Sequence, residues 1–393
     1  MARKYVYVKK RYVFLFTIVD FLGSVIFKIC RFFRRPQKSL EIKKIVVLEL
    51  AHIGDAVAII PALRLLRKKF PKSSITAVVG PWAEEVLTGN PDINEVITHR
   101  AWGFDRAQKS PFLAEAISLI KFLRAGNFDL GIDTRGDFRA ILLMWLGKIK
   151  KRVSYGFAGG AFLLTEVMPF DISRRQDKHQ AEHNLNLIAS IKEGVQSDER
   201  DLSFKIFFSD EDSLYIDRLL KEKGVTGGDF LIAMHLGAGL PTKRWPIERF
   251  SQLIERILRQ YDVKIILIGS KGESDLAKSL ELGQPLRLID LIGKTTLKQL
   301  AALLKRCNLF VGADSGVMHI AATQNTPIIV IWGGQNKPSH WRPLADEVTI
   351  IHKTVDCSPC GLKHCRELKC LKAIEVQEVF EAVEKQITRL RGR

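Results

Sequence analysis

No low-complexity tract or solenoid repeat interrupts the 393 residues beyond a basic amino terminus, and 28 glycines and 14 prolines are too few for a collagen or a disordered chain. Uninterrupted apolar sequence is also scarce. Before Asp20 the longest stretch without a charge is eight residues, Tyr12 to Val19, against the ~20 that a spanning helix needs. The small-residue cleavage site of a secretory leader is missing, because CRFFRRP follows the first apolar segment. Acids are few at the same end: residues 1–44 hold twelve Lys and Arg against Asp20 and Glu41, so +10 of the net +18 lies there and the other 349 residues carry +8. A surplus of this size points to an anionic partner, whether nucleic acid, anionic lipid or a phosphorylated substrate.

Between those charges runs YVFLFTIVDFLGSVIFKICRFF, whose polar residues Thr17, Asp20, Ser24, Lys28, Arg31 and Arg35 recur every three or four positions. That spacing is one stripe of a helix, and Phe, Ile, Val and Leu fill the rest of the circumference. An interfacial amphipathic helix on an anionic leaflet is the reading preferred over a spanning anchor, a core helix or a signal.

From Lys43 onward, short apolar β-rich runs alternate with helical stretches. KIVVLEL (44–50), SITAVVG (74–80), EVITH (95–99), FDLGID (128–133) and RVSYGF (152–157) form one series, with helices over 56–70 and near 138–147. A second begins at FLIAMHLG (230–237) and continues through VKIILIG (263–269), LRLIDLIG (286–293), LFVGA (309–313) and PIIVIWGG (327–334), with helices over 247–260, 273–282, 296–305 and 316–324. Apolar strands alternating with helices predict an α/β chain of two doubly wound, Rossmann-like domains. Residues 205–228 read as a charged connecting helix and 372–391 as a terminal helix.

Open α/β sheets bind ligands beyond the carboxyl ends of their strands, which directs attention to four strand-to-helix turns. In LELAHIGDAVAIIPAL, Asp55 opens a helix, where it either caps free amides or serves as a general base. In GAGLPTKRWP (237–246), Thr242, Lys243 and Arg244 follow a strand, and the cations suit a phosphate or form a solvated basic turn. In VGADSGVMHIAA (311–322), Asp314, Ser315 and Gly316 precede a helix whose free amides suit an anion. His319, one turn further, faces the same place or is structural. In IGSKGESDLA, Glu273 either accepts from ribose hydroxyls or favours a helix start. No turn completes the dinucleotide pattern G-x-G-x-x-G.

Gly54-Asp55 with Pro61-Ala62-Leu63, Lys243-Arg244-Trp245-Pro246, and Asp314-Ser315-Gly316-Val317-Met318-His319 with Pro327 and Trp341-Arg342-Pro343 downstream resemble the ADP-heptose:lipopolysaccharide heptosyltransferases, glycosyltransferase family 9. The resemblance covers roughly residues 43–390. It implies a GT-B fold, two Rossmann-like domains facing across a cleft, with the nucleotide sugar mainly on the second. It also implies an inverting transfer of heptose from ADP-heptose to a lipopolysaccharide core acceptor. Asp55 would be the catalytic base, and Thr242, Lys243, Glu273, Asp314, Ser315, Gly316 and His319 the donor site. Arg135 and Arg139 could meet acceptor carboxylates or phosphates, and His179, in DKHQAEHNLNL, could lie in the cleft. No cofactor is required for this chemistry.

The expected division is a membrane-associating helix over 1–40, an acceptor-side domain over 41–205, a connecting helix over 206–228, a nucleotide-sugar domain over 229–350, and a cysteine-rich segment with a terminal helix packing back on the first domain over 351–393. The chain is expected in the cytoplasm, peripheral on the inner face of a bacterial inner membrane.

Cys357, Cys360, Cys365 and Cys370 have the spacing of a zinc knuckle with Cys in place of its His, so a structural zinc, reduced thiols, disulfides and an iron–sulfur cluster are all open. The knuckle and the positive charge together would also suit a nucleic-acid-binding protein. Most of the charge, however, accompanies Phe-rich apolar sequence, and nucleic acid is not the expected partner. A third reading keeps GT-B but changes the nucleotide sugar.

Overall fold

The computed structural model describes residues 14, 17–25, 41–100, 112–196, 201–282 and 287–392. They form two compact units, one ending at Leu202 and the other starting at Ser203. The first holds strands β1 (Lys44–Glu49), β2 (Ser74–Val79), β3 (Glu95–Thr98), β4 (Leu130–Asp133), β5 (Lys151–Ser154) and β6 (Glu166–Val167). The second holds β7 (Leu231–His235), β8 (Lys264–Ile268), β9 (Leu288–Asp290), β10 (Leu309–Ala313), β11 (Ile328–Trp332) and β12 (Val348–His352).

Every ladder in both sheets is parallel, and the orders are β3-β2-β1-β4-β5-β6 and β12-β11-β10-β7-β8-β9. Read from its own first strand, each sheet therefore has the doubly wound order 3-2-1-4-5-6. The order reverses between β1 and β4, where Val47 pairs with Ile132, and between β7 and β10, where Met234 pairs with Val311. β7, β10 and β11 are buried along their whole length, as strands covered on both faces must be.

The expected strands are present. The two missed by the apolar pattern each lie at one edge of a sheet: β6 is two residues long, and β12 is only half-buried. The single helix expected over 56–70 is instead two, Ile53–Ala58 and Ile60–Lys69. Pro61 causes the break, because it has no amide to donate back to the preceding turn.

The apolar face of the terminal helix Val376–Arg391 (Val379, Phe380, Val383, Ile387) is buried in the second unit's own core with Ile254 and Ile257 of helix Ile247–Gln260. Arg256 stacks its guanidinium 3.9 Å from the Phe380 ring centroid, and Tyr261 donates to Glu384 at 2.5 Å. Helical periodicity reveals that such a face must be covered, but not by what.

At the amino terminus, residues 14 and 17–25 are helical, while Lys28, Arg31, Arg35 and the rest of 1–40 lie outside the described residues. The buried side of this helix is its polar and small one. Asp20 is buried and accepts from the Gly160 amide at 2.7 Å, and Gly23 lies so close to Phe162 that a Cβ would come within 2.5 Å of its ring. Phe14, Ile18, Phe21, Leu22 and Val25 are exposed. No helix among the described residues is long and apolar enough to cross a membrane.

Candidate functional site

In the first unit, the loops leaving β1 and β4 meet at the reversal of strand order. Asp55 lies in the first turn of helix Ile53–Ala58 and is buried. Its Oδ2 accepts from the His52 amide at 3.1 Å, and its Oδ1 is ion-paired with Arg135, which follows β4. One carboxylate oxygen thus caps the helix and the other meets a guanidinium. Burial works against the Arg135 charge, but Asp55, Glu49, Asp137 and Asp133 outweigh it and hold the group above its ordinary range.

Three residues that sequence patterns passed over complete this crevice. Glu49 ends β1, buried, with Oε2 accepting from the Thr134 hydroxyl at 2.6 Å. Burial and the neighbouring Asp55 push it up to about 8 against the pull of Arg135 and Thr134. Asp133 accepts from the Ser154 hydroxyl at 2.7 Å and the Asp137 amide at 2.8 Å, and burial together with Asp137 pushes it up to about 7. Arg175 is brought down to about 10 by burial and by Arg135, while Asp55 opposes the shift. Its guanidinium carbon lies 5.2 Å from the Phe157 ring centroid.

Arg139 and His179 are occupied elsewhere. Asp137 caps helix Phe138–Leu146 and takes both the amide and the guanidinium of Arg139. His179 caps helix Gln180–Ala189, its Nδ1 accepting from the Ala181 amide at 3.1 Å. His183, one turn later, has its Nε2 2.9 Å from the Arg175 carbonyl.

In the second unit, the loops leaving β7, β8 and β10 converge. Lys243 Nζ is 2.6 Å from Asp314 Oδ2, which also accepts from Asn336 at 3.3 Å. Ser315 is the N-cap of helix Gly316–Thr323, yet its hydroxyl makes no cap bond and instead lies 3.1 Å from His235 Nδ1. The other nitrogen of His235, Nε2, is 3.3 Å from Glu273 Oε1. The Ser270 amide and hydroxyl hold Glu273 Oε2, each at 2.8 Å. Burial opposes the Glu273 charge, but His235 and Ser270 overcome it and draw the carboxyl down to about 2.

His319 is buried, with its ring edge-on to Trp341 at 6.1 Å between centroids. Thr242, expected on the donor, is buried and donates to the Leu362 carbonyl at 3.1 Å. It ties the Lys243 turn to the cysteine-rich segment. A Cβ at Gly237 would fall 1.8 Å from Glu273 Oε1 and displace that carboxylate.

The four carboxyl-terminal thiols are not gathered around a common point. Among the described residues, no three of His, Cys, Asp and Glu are placed to hold a metal ion. Cys357 and Cys365 are exposed, the Cys360 amide is bound to the Gly334 carbonyl at 2.9 Å, and Cys370 packs against the second core. The segment is held by backbone bonds to the loop after β11. Cys357, Cys360, Cys365, Cys370 and Cys307 are all free thiols, and burial pushes Cys307 up to about 12.

The family model for glycosyltransferase family 9 (heptosyltransferase) matches residues 116–371. Lipopolysaccharide heptosyltransferase 3 of Escherichia coli K12 is 25% identical over 344 residues, which cover 84% of this chain and 94% of that one. The solved family 9 glycosyltransferase of Veillonella parvula superposes with a TM-score of 0.75 at 25% identity, covering 90% of this chain and all of that one. The ADP-heptose lps heptosyltransferase II of E. coli superposes with a TM-score of 0.71 at 21% identity, covering 88% and 99%.

Proposed function

As the chain belongs to glycosyltransferase family 9, we propose that it moves a heptose from ADP-heptose to a lipopolysaccharide inner-core acceptor, inverting the anomeric carbon. Asp55 takes the proton of the acceptor hydroxyl while that oxygen bonds to the anomeric carbon. The bond from that carbon to the diphosphate breaks, and its electron pair leaves with ADP. Lys243 and the first amides of helix Gly316–Thr323 meet the growing charge on the leaving group. Glu273 accepts from the ribose hydroxyls, and Asp314 and His319 line the same site. No step passes through a metal.

The observation that carries this reading is the Lys243–Asp314 pair at the end of β10, directly before that helix start. It is a cation held in place where a diphosphate would meet free amides. In the first unit, the Arg135 and Arg175 guanidiniums beside Asp55 suit an acceptor bearing a carboxylate or phosphate. Transfer from ADP-heptose to a heptose-deficient lipopolysaccharide tests the proposal: Asp55→Ala is expected to lose ~10²–10⁴-fold in rate while retaining ADP affinity. Binding of ADP without heptose transfer by the wild type would reject the sugar or the acceptor, and loss of all nucleotide binding would reject the donor site.

The exposed Phe14, Ile18, Phe21, Leu22 and Val25 support attachment to the anionic inner leaflet of the cytoplasmic membrane, where the acceptor is lipid-linked. The +10 charge of residues 1–44 complements that leaflet. Vesicles containing phosphatidylglycerol should retain the full chain and release one truncated before residue 40. Equal recovery of the two would reject this attachment.

A structural zinc on Cys357, Cys360, Cys365 and Cys370 is the finer reading of the cysteine segment. It requires the two exposed thiols to close on the two half-buried ones. Metal analysis decides: about one zinc per chain, lost in Cys357→Ser, supports it, and none refutes it.

A further inference from the structure

Trp82 stands in the loop after β2, in the short turn Pro81–Ala83, and the transfer chemistry above does not use it. Its Nε1 donates to the Ala51 carbonyl, and its ring centroid lies 6.2 Å from that of His52, the N-cap of helix Ile53–Ala58. The His52 amide in turn donates to Asp55 Oδ2. The indole is thus fixed against the turn that carries Asp55. Gly80 permits the approach, since a Cβ there would fall 2.3 Å from Cε2 and Cζ2 of the indole.

Core packing does not account for this ring. Trp245 and Trp332 also donate their Nε1 hydrogens to carbonyls, those of Ile374 and Asn336, but both are enclosed, at 2% and 0% exposure. Trp82 has its N–H satisfied in the same way and yet is only half-buried. With its polar edge engaged by the backbone, the part of it left open is apolar aromatic surface. It lies at the carboxyl end of the sheet, where open α/β sheets receive their ligands. β1 runs between β2 and β4, so the turn from Ala51 to Asp55 has the indole on its β2 side and the Arg135 guanidinium on its β4 side.

We propose that the Trp82 indole stacks on a pyranose ring of the acceptor and, with Arg135 on the other flank, sets which hydroxyl of that sugar is presented to Asp55. The class of ligand follows from the two flanks. A pyranose ring is polar around its edge, but its faces carry apolar, slightly positive C–H groups that suit the negative face of an aromatic ring. A carboxylate or phosphate on the same sugar suits the guanidinium. The proposal rests on the first crevice being the acceptor side and on Asp55 being the base.

The experiment titrates the full chain calorimetrically with deacylated, heptose-deficient lipopolysaccharide, and measures kcat and KM for that acceptor and for ADP-heptose. Trp82→Ala should weaken acceptor binding and raise the acceptor KM about tenfold, while KM for ADP-heptose stays within about twofold. Trp82→Phe keeps an aromatic face but has no N–H, so its acceptor affinity should stay close to the wild type's. Equal losses in the Phe and Ala variants would mean that the indole only braces Ala51, and would overturn the proposal. Gly80→Ala removes no contact but pushes the ring from its place, so it should raise the acceptor KM. It carries the test if the Trp82 variants do not fold, and an unchanged acceptor KM there overturns the proposal. Unchanged acceptor binding in Trp82→Ala, or a loss confined to ADP-heptose, does the same. A wild type that binds no acceptor rejects the acceptor reading and the stacking together. A wild type whose acceptor binding is matched by Trp82→Ala rejects the stacking alone.

Discussion

His235 Nε2 and Glu273 Oε1 lie 3.3 Å apart at the mouth of the second sheet, and the imidazole's other nitrogen holds the Ser315 hydroxyl. One side chain thus connects the end of β7 to both the β8 loop and the start of helix Gly316–Thr323. It holds the carboxylate proposed for the ribose in register with the amides proposed for the diphosphate.

Breaking that link should weaken the donor site without abolishing turnover. His235→Ala is expected to raise KM for ADP-heptose about tenfold through loss of the imidazole contacts to Glu273 and Ser315, with a smaller effect on kcat. Steady-state kinetics over donor concentration checks this, and an unchanged KM counts against the link.

The same contact has a signature at acid pH. Glu273 is held at about 2 against an ordinary 4.5, so the folded state binds fewer protons than the unfolded one across that interval. Its stabilisation is complete above the ordinary value and is lost as pH falls toward 2. Thermal melting between pH 5 and about 2.5 should fall less steeply for Glu273→Gln than for the wild type.

Asp133 has the opposite sign. Raised from 3.8 to about 7 by burial and Asp137, it keeps a proton in the folded state that the unfolded chain has released. Its contribution is complete below its ordinary value and is lost as pH rises to about 7. Asp133→Asn should therefore gain a few degrees of melting temperature relative to the wild type at pH 8, and little at pH 4.

Lys243→Met removes the cation and leaves buried Asp314 with the Asn336 side chain. Affinity for ADP should fall ~10–100-fold, measured by calorimetric titration. Retained affinity would remove Lys243 from the diphosphate.

Phe380→Ala opens a hole in the second core between the terminal helix and helix Ile247–Gln260. A loss of about 3–5 kcal/mol is expected in urea unfolding of the second unit. No loss would mean that the helix belongs elsewhere.

The place of Asp55, Lys243, Asp314 and Glu273 at strand-to-helix turns was legible because each follows an apolar run ending in glycine or a polar turn, the pattern of a strand meeting a helix. Glu49, His235 and Arg175 were not. Glu49 and His235 are the last or nearly last residues of runs such as KIVVLEL and FLIAMHLG, where a polar residue among apolar ones gives no sign of what the next strand contributes. The β1–β4 and β7–β10 pairings that give them their neighbours join segments about 75–85 residues apart. Periodicity likewise identified the stripe of Thr17, Asp20 and Ser24, but only the Asp20–Gly160 bond reveals that Asp20 faces the protein. Cysteine spacing left zinc, reduced thiols, disulfides and a cluster open, because spacing alone does not orient thiols; the backbone bond of Cys360 to Gly334 and the packing of Cys370 are set by the fold.

The repeated 3-2-1-4-5-6 order has an evolutionary consequence. Each sheet brings the loops of its own strands to its own crevice, those after β1 and β4 in the first and those after β7, β8 and β10 in the second. Under the proposed assignment, recognition of the sugar donor and of the glycolipid drift on separate clocks. A lineage can take up a new acceptor by rewriting the loops after β1 and β4 while inheriting its nucleotide chemistry intact.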